Sequence, residues 1–122
     1  MNEVIILCLW INNRIFAAIF LNDILMNYGY VKVAAGVPRV KVADCKFNAR
    51  EIEKEIIIAE GKGVQIIAFP ELCVTGYTCG DLFAQQLLLE EAEMGLIQIV
   101  SNTRQLDIIA ILGMQIVMNG VL

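Results

Sequence analysis

From Tyr30 onward, short apolar runs of strand length alternate with stretches whose apolar residues recur at helical spacing, and this alternation restricts the chain to few architectures. "YVKVAAGVP", Tyr30 to Pro38, is β-rich, is closed by a proline and carries Lys32 as its one charge, so it reads as a strand with both faces mostly covered. In "KFNAREIEKEIIIAEGKG", Asn48 and Glu51 have the spacing of a capping box, Ile52, Ile56 and Ala59 fall on one helical face, and Gly61 and Gly63 end the helix. That predicts about three to four turns. "VQIIAF", Val64 to Phe69, is a second strand, stopped by Pro70. A second helix is predicted from about Asp81 to Arg104, with Leu82, Leu89, Met94, Ile97 and Val100 among its apolar positions and Glu90, Glu91 and Glu93 on the wetter side. "LDIIAILGMQIV", Leu106 to Val117, is a third strand with a break near Gly113. The fold class this order predicts is α/β, with adjacent, largely parallel strands joined by right-handed crossovers.

Composition narrows the chemistry. Nine basic and thirteen acidic residues leave a net charge of −4 with no basic stripe, so nucleic acid is not an expected partner. Histidine is absent, which removes Ser-His and Cys-His catalysis and the commonest metal ligand, and no metal site is expected in the chain. Carboxylate, lysine, cysteine and tyrosine remain. Cys8, Cys45, Cys73 and Cys79 form no CxxC pair, and reduced thiols in the cytoplasm are the expectation.

The amino end reads differently. Residues 1–25 hold two apolar runs, Val4 to Ile11 and Ile15 to Leu21, divided by Asn12, Asn13 and Arg14. Each run is shorter than the ~20 residues that cross a bilayer, and an arginine between them costs roughly 2.5–3.5 kcal/mol at the centre of a span, so no membrane association is expected. Glu3 and the absence of a small-residue cleavage site speak against a signal peptide. The expectation is that residues 1–25 are a leader translated from upstream of a natural start at Met26, and that residues 26–122 are one domain. Asn119-Gly120, a hairpin-turn dipeptide followed by two residues, is what a truncated protein would show.

The candidate site is the stretch "IIAFPELCVTGYTCGDLF", where Glu71 follows directly on a strand and a proline. Ligands of α/β sheets meet the carboxyl ends of the strands. Partial burial beside Phe69, Pro70 and Leu72 would disfavour the charged carboxylate and suit a general base, whereas the bland reading is a solvated loop residue. Cys73, two residues on, would face the same way on extended backbone. It has no neighbouring cation, so Cys73 and Cys79 read as apolar fillers, and Cys45 beside Asp44 is poorly placed for a thiolate.

"FPELCVTGYTCGDLF", between a strand and a long helix, resembles the first motif of the nitrilase or carbon–nitrogen hydrolase superfamily. More narrowly, "YVKVAAGVPRVKVADCKFN" through "GKGVQIIAFPELCVTGYTCGDLFAQQLLLEEAEMGLIQIVSNTRQLDIIAILGM" resembles the amino-terminal glutaminase domain of bacterial glutamine-dependent NAD synthetases, from Met26 to about Leu122. The resemblance implies the first strands and helices of an α-β-β-α sandwich and a Glu-Lys-Cys amidase, in which Glu71 is the general base. It also implies that Tyr77 is a wall of the glutamine pocket, an alternative to an aromatic that packs under the loop. By the same resemblance the lysine and the nucleophilic cysteine come from later segments. ATP and magnesium belong to a missing synthetase domain, and the intact cytoplasmic enzyme is a homo-oligomer that takes glutamine and makes NAD. A chain with these residues alone is then expected to be inactive and to leave strand edges and apolar faces bare. Two other readings stay open: a fragment of a different amidase of the superfamily, and a non-enzymatic protein, either a small α/β interaction module or a membrane-tethered subunit.

Overall fold

The computed structural model describes residues 31–116 and the backbone of Leu7–Cys8. The elements are β1 (Leu7–Cys8), β2 (Val33–Ala35), α1 (Cys45–Gly61), β3 (Ile66–Ala68), a 3₁₀ turn (Gly80–Ala84), α2 (Gln86–Thr103) and β4 (Ile109–Leu112). The sheet order is β1-β4-β3-β2. β2, β3 and β4 are parallel, with Val33 beside Ile66 beside Ile109, and β1 pairs antiparallel to β4 with Leu7 opposite Leu112. The α/β class and the parallel strands are therefore as the alternation predicted. Among the described residues, the helices and strands form one helix-covered layer of the sandwich that the resemblance implies.

Register decides which residues the helices cover. Ile67, Ala110 and Leu112 are buried on one face with Ala34 beside them. On the other face Val33 is 66% exposed, Ala35 and Ala68 are exposed, and Ile66, Ile109 and Ile111 are half-buried. The first strand was expected to have both faces mostly covered; among the described residues, one face of this sheet is exposed at β2 and half-buried at β4.

Helix α1 starts earlier than its sequence suggested. Asp44 is its N-cap, with Oδ1 accepting from Phe47 N–H at 3.0 Å, so Asn48 and Glu51 lie inside the helix and form no capping box. It runs 17 residues, about five turns instead of three to four. Ile52, Ile56 and Ala59 are buried as predicted, and the helix ends at Gly61, with Gly63 beyond it at φ +72°. Asn48 is buried instead of capping: its Oδ1 accepts from Lys41 N–H at 2.7 Å, and its Nδ2 donates to the carbonyls of Lys41 at 2.8 Å and Val74 at 2.9 Å. Glu51 binds Lys54 and, at 3.1 Å, Arg39; the Lys54 hydrogen bond above all holds its carboxyl below the ordinary value.

The second predicted helix divides. Residues Gly80–Ala84 are 3₁₀, Gln85 is extended at ψ 126°, and α2 begins at Gln86. Its buried stripe is Leu88, Ala92, Gly95, Ile99 and Thr103. Met94 and Ile97, predicted among the apolar positions, are 67% and 53% exposed, and Leu82 is exposed too, whereas Glu90, Glu91 and Glu93 are exposed as expected. Close approach explains the choice of stripe. A Cβ on Gly95 would lie 3.5 Å from Cys45 O and 3.7 Å from Ala49 Cβ, so small residues let α2 settle against α1 where bulkier ones would hold it off.

The third strand is shorter than predicted and ends just before Gly113, where the break was expected. The readings of Val117 and of Asn119-Gly120 lie outside the described residues, as does the leader apart from Leu7–Cys8. Among the described residues, no helix is long and apolar enough to cross a membrane.

Candidate functional site

Parallel pairing sets the strand ends side by side. Gly36 N–H donates to Ala68 O at 2.8 Å and Phe69 N–H to Ile111 O at 3.0 Å, so the last residues of β2, β3 and β4 are tied across the sheet immediately before Glu71. The Phe69 ring lies where a side chain on residue 36 would be: a Cβ on Gly36 would come within 2.6 Å of its Cδ1. Glycine there is what allows the ring to close the end of the core.

Pro70 then turns the chain. Cys73 N–H donates to Pro70 O at 3.2 Å and Gly76 N–H to Leu72 O at 2.8 Å, with Gly76 at φ +85°. A Cβ on Gly76 would also lie 3.2 Å from the Val42 backbone, a second reason for glycine there. The backbone is thus a compact turn instead of an extended strand, and the side chains of Glu71 and Cys73 part. Glu71 is exposed, and Cys73 is 1% exposed with its thiol donating to Gly113 O at 3.6 Å. The partial burial expected of Glu71 is therefore absent, because the turn carries its side chain outward while Phe69 and Cys73 fill the core. Burial pushes the Cys73 thiol up from its ordinary value, as suits a filler.

The turn is tied down from behind. Val74 and Thr75 are fully buried, Ala43 N–H donates to Thr75 O at 2.8 Å, and Asn48 holds Val74 O. The backbone from which Glu71 projects is therefore anchored to α1. Tyr77 is 74% exposed, so it does not pack under the loop. Cys79 is buried and its thiol donates to Thr75 O at 3.1 Å.

Cys45, at the start of α1, is also buried, and its thiol is pushed up to about 11, first by burial and next by the charge of Glu91, with Asp44 a smaller contributor. The sequence reading had the direction right and the principal cause wrong. In the native chain at pH 8, Cys45, Cys73 and Cys79 are expected to react with a disulfide reagent no faster than the protein unfolds. Thiol counting before and after denaturant checks this, and rapid native modification at any of the three would contradict their burial.

Two residues escaped the sequence reading of the site. Asn48 was taken for a cap, and its role in holding the turn depends on Val74, which is 26 residues away. Gly113 was noted as a strand break, whereas its backbone lies against that of Glu71. A glycine at a strand end was the available signal; its neighbour, 42 positions upstream in the sequence, was not legible.

No protein-family model matches the chain. Curated relatives do. A glutamine-dependent NAD(+) synthetase of Mycobacterium leprae is 32% identical over 85 residues, and that of Aquifex aeolicus is 38% identical over 73 residues. These alignments take in 70% and 60% of the chain but 12% and 13% of the relatives, so the chain spans a small share of their length. The crystal structure of a glutamine-dependent NAD(+) synthetase from Cytophaga hutchinsonii superposes with a TM-score of 0.68 at 29% identity, over 74% of this chain and 15% of that one. In sequence and in fold alike, the described residues match one segment of the glutamine-dependent NAD(+) synthetases.

Proposed function

We propose that these residues supply the general base of a glutamine amidase that feeds ammonia to NAD synthesis, and that Glu71 is that base. The observation that carries the reading is the placement of Glu71. It is exposed at the carboxyl end of the central strand β3, on a turn fixed from beneath by Asn48 and from the side by Gly113. A carboxylate that must take and return a proton needs this combination of an accessible side chain and an immobile backbone.

In this reading the Glu71 carboxylate accepts the proton of a cysteine thiol as its sulfur attacks the side-chain amide carbon of glutamine. The proton then passes to the departing ammonia, and water hydrolyses the thioester to glutamate. A lysine stabilises the oxyanion. Cys73 cannot be the nucleophile, since its thiol is buried and held by Gly113 O while the Glu71 side chain is exposed. Both the cysteine and the lysine come from outside the described residues. ATP and magnesium belong to the synthetase portion. The described residues bring no three His, Cys, Asp or Glu side chains together. Tyr77, exposed beyond the turn, is available to meet bound glutamine, and a cytoplasmic homo-oligomer is the expected setting.

The test is a hybrid in which residues 31–116 replace the aligned segment of the Cytophaga hutchinsonii synthetase. The hybrid is expected to make NAD from glutamine as well as from free ammonia, and the 122-residue chain alone to release no ammonia from glutamine. A hybrid that works with ammonia but not with glutamine would overturn the assignment, and ammonia release by the chain alone would overturn the view that its nucleophile lies elsewhere.

A further inference from the structure

The end of β4 approaches the turn more closely than a side chain would permit. A Cβ placed on Gly113 would lie 2.6 Å from Glu71 Cα and closer still to the Glu71 carbonyl carbon and oxygen. All three atoms are backbone, so no rotamer change relieves the overlap; either the strand end or the turn would have to move. The same glycine's carbonyl accepts the Cys73 thiol at 3.6 Å, so it meets the turn on both sides of Leu72. Gly113 is itself buried, and Leu112 and Met114 beside it are 1% and 8% exposed, which leaves the strand end no room to retreat.

We infer that Gly113 is a positioning residue for Glu71. It touches neither substrate nor proton. By lacking a side chain it lets β4 bear directly on the Glu71 backbone, and this contact sets where the carboxylate projects at the strand ends. The inference rests on Glu71 being the general base. Its physical content is that a displacement of the turn by the width of a methyl group moves the carboxylate off the proton path, and a misplacement of about 1 Å costs on the order of 100-fold in rate.

The measurement uses the hybrid synthetase in three forms: unaltered, Gly113→Ala and Glu71→Gln. Gly113→Ala is expected to lower the glutamine-driven kcat about 100-fold, with KM for glutamine within about threefold and the ammonia-driven rate unchanged. A general loss of structure would instead lower both rates. Retention of the glutamine-driven kcat by Gly113→Ala, while Glu71→Gln abolishes it, overturns the positioning role and leaves the base assignment standing. If Glu71→Gln is itself without effect, the base assignment fails first. Should Gly113→Ala lower both rates, the ratio of the glutamine-driven to the ammonia-driven rate decides the matter, since loss of folded enzyme scales both alike. A ratio at least about tenfold below that of the unaltered hybrid supports the inference, and an unchanged ratio overturns it.

Discussion

Replacing Glu71 by glutamine in the hybrid synthetase is expected to lower glutamine-driven NAD formation by about 100- to 10,000-fold while the ammonia-driven rate stays within about twofold. The size of the effect follows from what the substitution leaves intact. Glutamine is nearly the same shape, and Glu71 is exposed and makes no hydrogen bond among the described residues that the change would break, so folding has little reason to respond. What disappears is the ability to hold a proton in transit between thiol and leaving group. The two nitrogen sources separate this loss from any damage to the synthetase, since free ammonia bypasses the amidase step. Equal loss with both sources would place Glu71 in the framework instead of the chemistry, and an unchanged glutamine-driven rate would return it to a solvated loop residue.

The second large effect concerns stability. Asn48→Leu is expected to destabilise the 122-residue chain by about 3 kcal/mol, read as a lower urea midpoint with an unchanged slope. Asn48 is fully buried and makes three hydrogen bonds, two to Lys41 and one to Val74. Leucine keeps the branched outline but is larger and leaves Val74 O, in a buried stretch, without its donor, and an unsatisfied buried group costs about 1–3 kcal/mol. Because the bonds bind the 41–44 loop and the 70–76 turn to α1, the loss should spread to both. Faster amide exchange at Ala43, whose N–H donates to Thr75 O, would register it, whereas an unchanged midpoint would show that water replaces the side chain at no cost.

The order of strands and helices, their parallel arrangement and the break at Gly113 were legible in the sequence, because hydrophobic period and glycine or proline punctuation are local properties of the backbone. Glu71 was legible as a candidate for the same reason, since it stands where a strand stops. The start of α1 was misread because Asn48 and Glu51 satisfy the spacing of a capping box while a better cap, Asp44, stands four residues before Asn48. The buried stripe of α2 was misread because it carries two apolar rows, and propensity alone does not say which one a neighbouring helix can approach. The burial of Glu71 was misread because its neighbours Phe69, Pro70 and Leu72 are apolar while the turn carries its own side chain outward, and Cys73 was aligned with it because a turn was taken for extended backbone.

What the sequence determined by itself is the alternation of elements and the acid at the end of the central strand, both fixed within a few residues of chain. Tertiary structure decided the rest: which face of α2 is buried, which way Glu71 points, and that Asn48 and Gly113 hold the backbone beneath it. The physical reason is range. Periodicity and capping act over one or two turns, whereas close packing acts between atoms brought together from 26 and 42 positions apart, where the absence of a single Cβ settles whether two segments can meet.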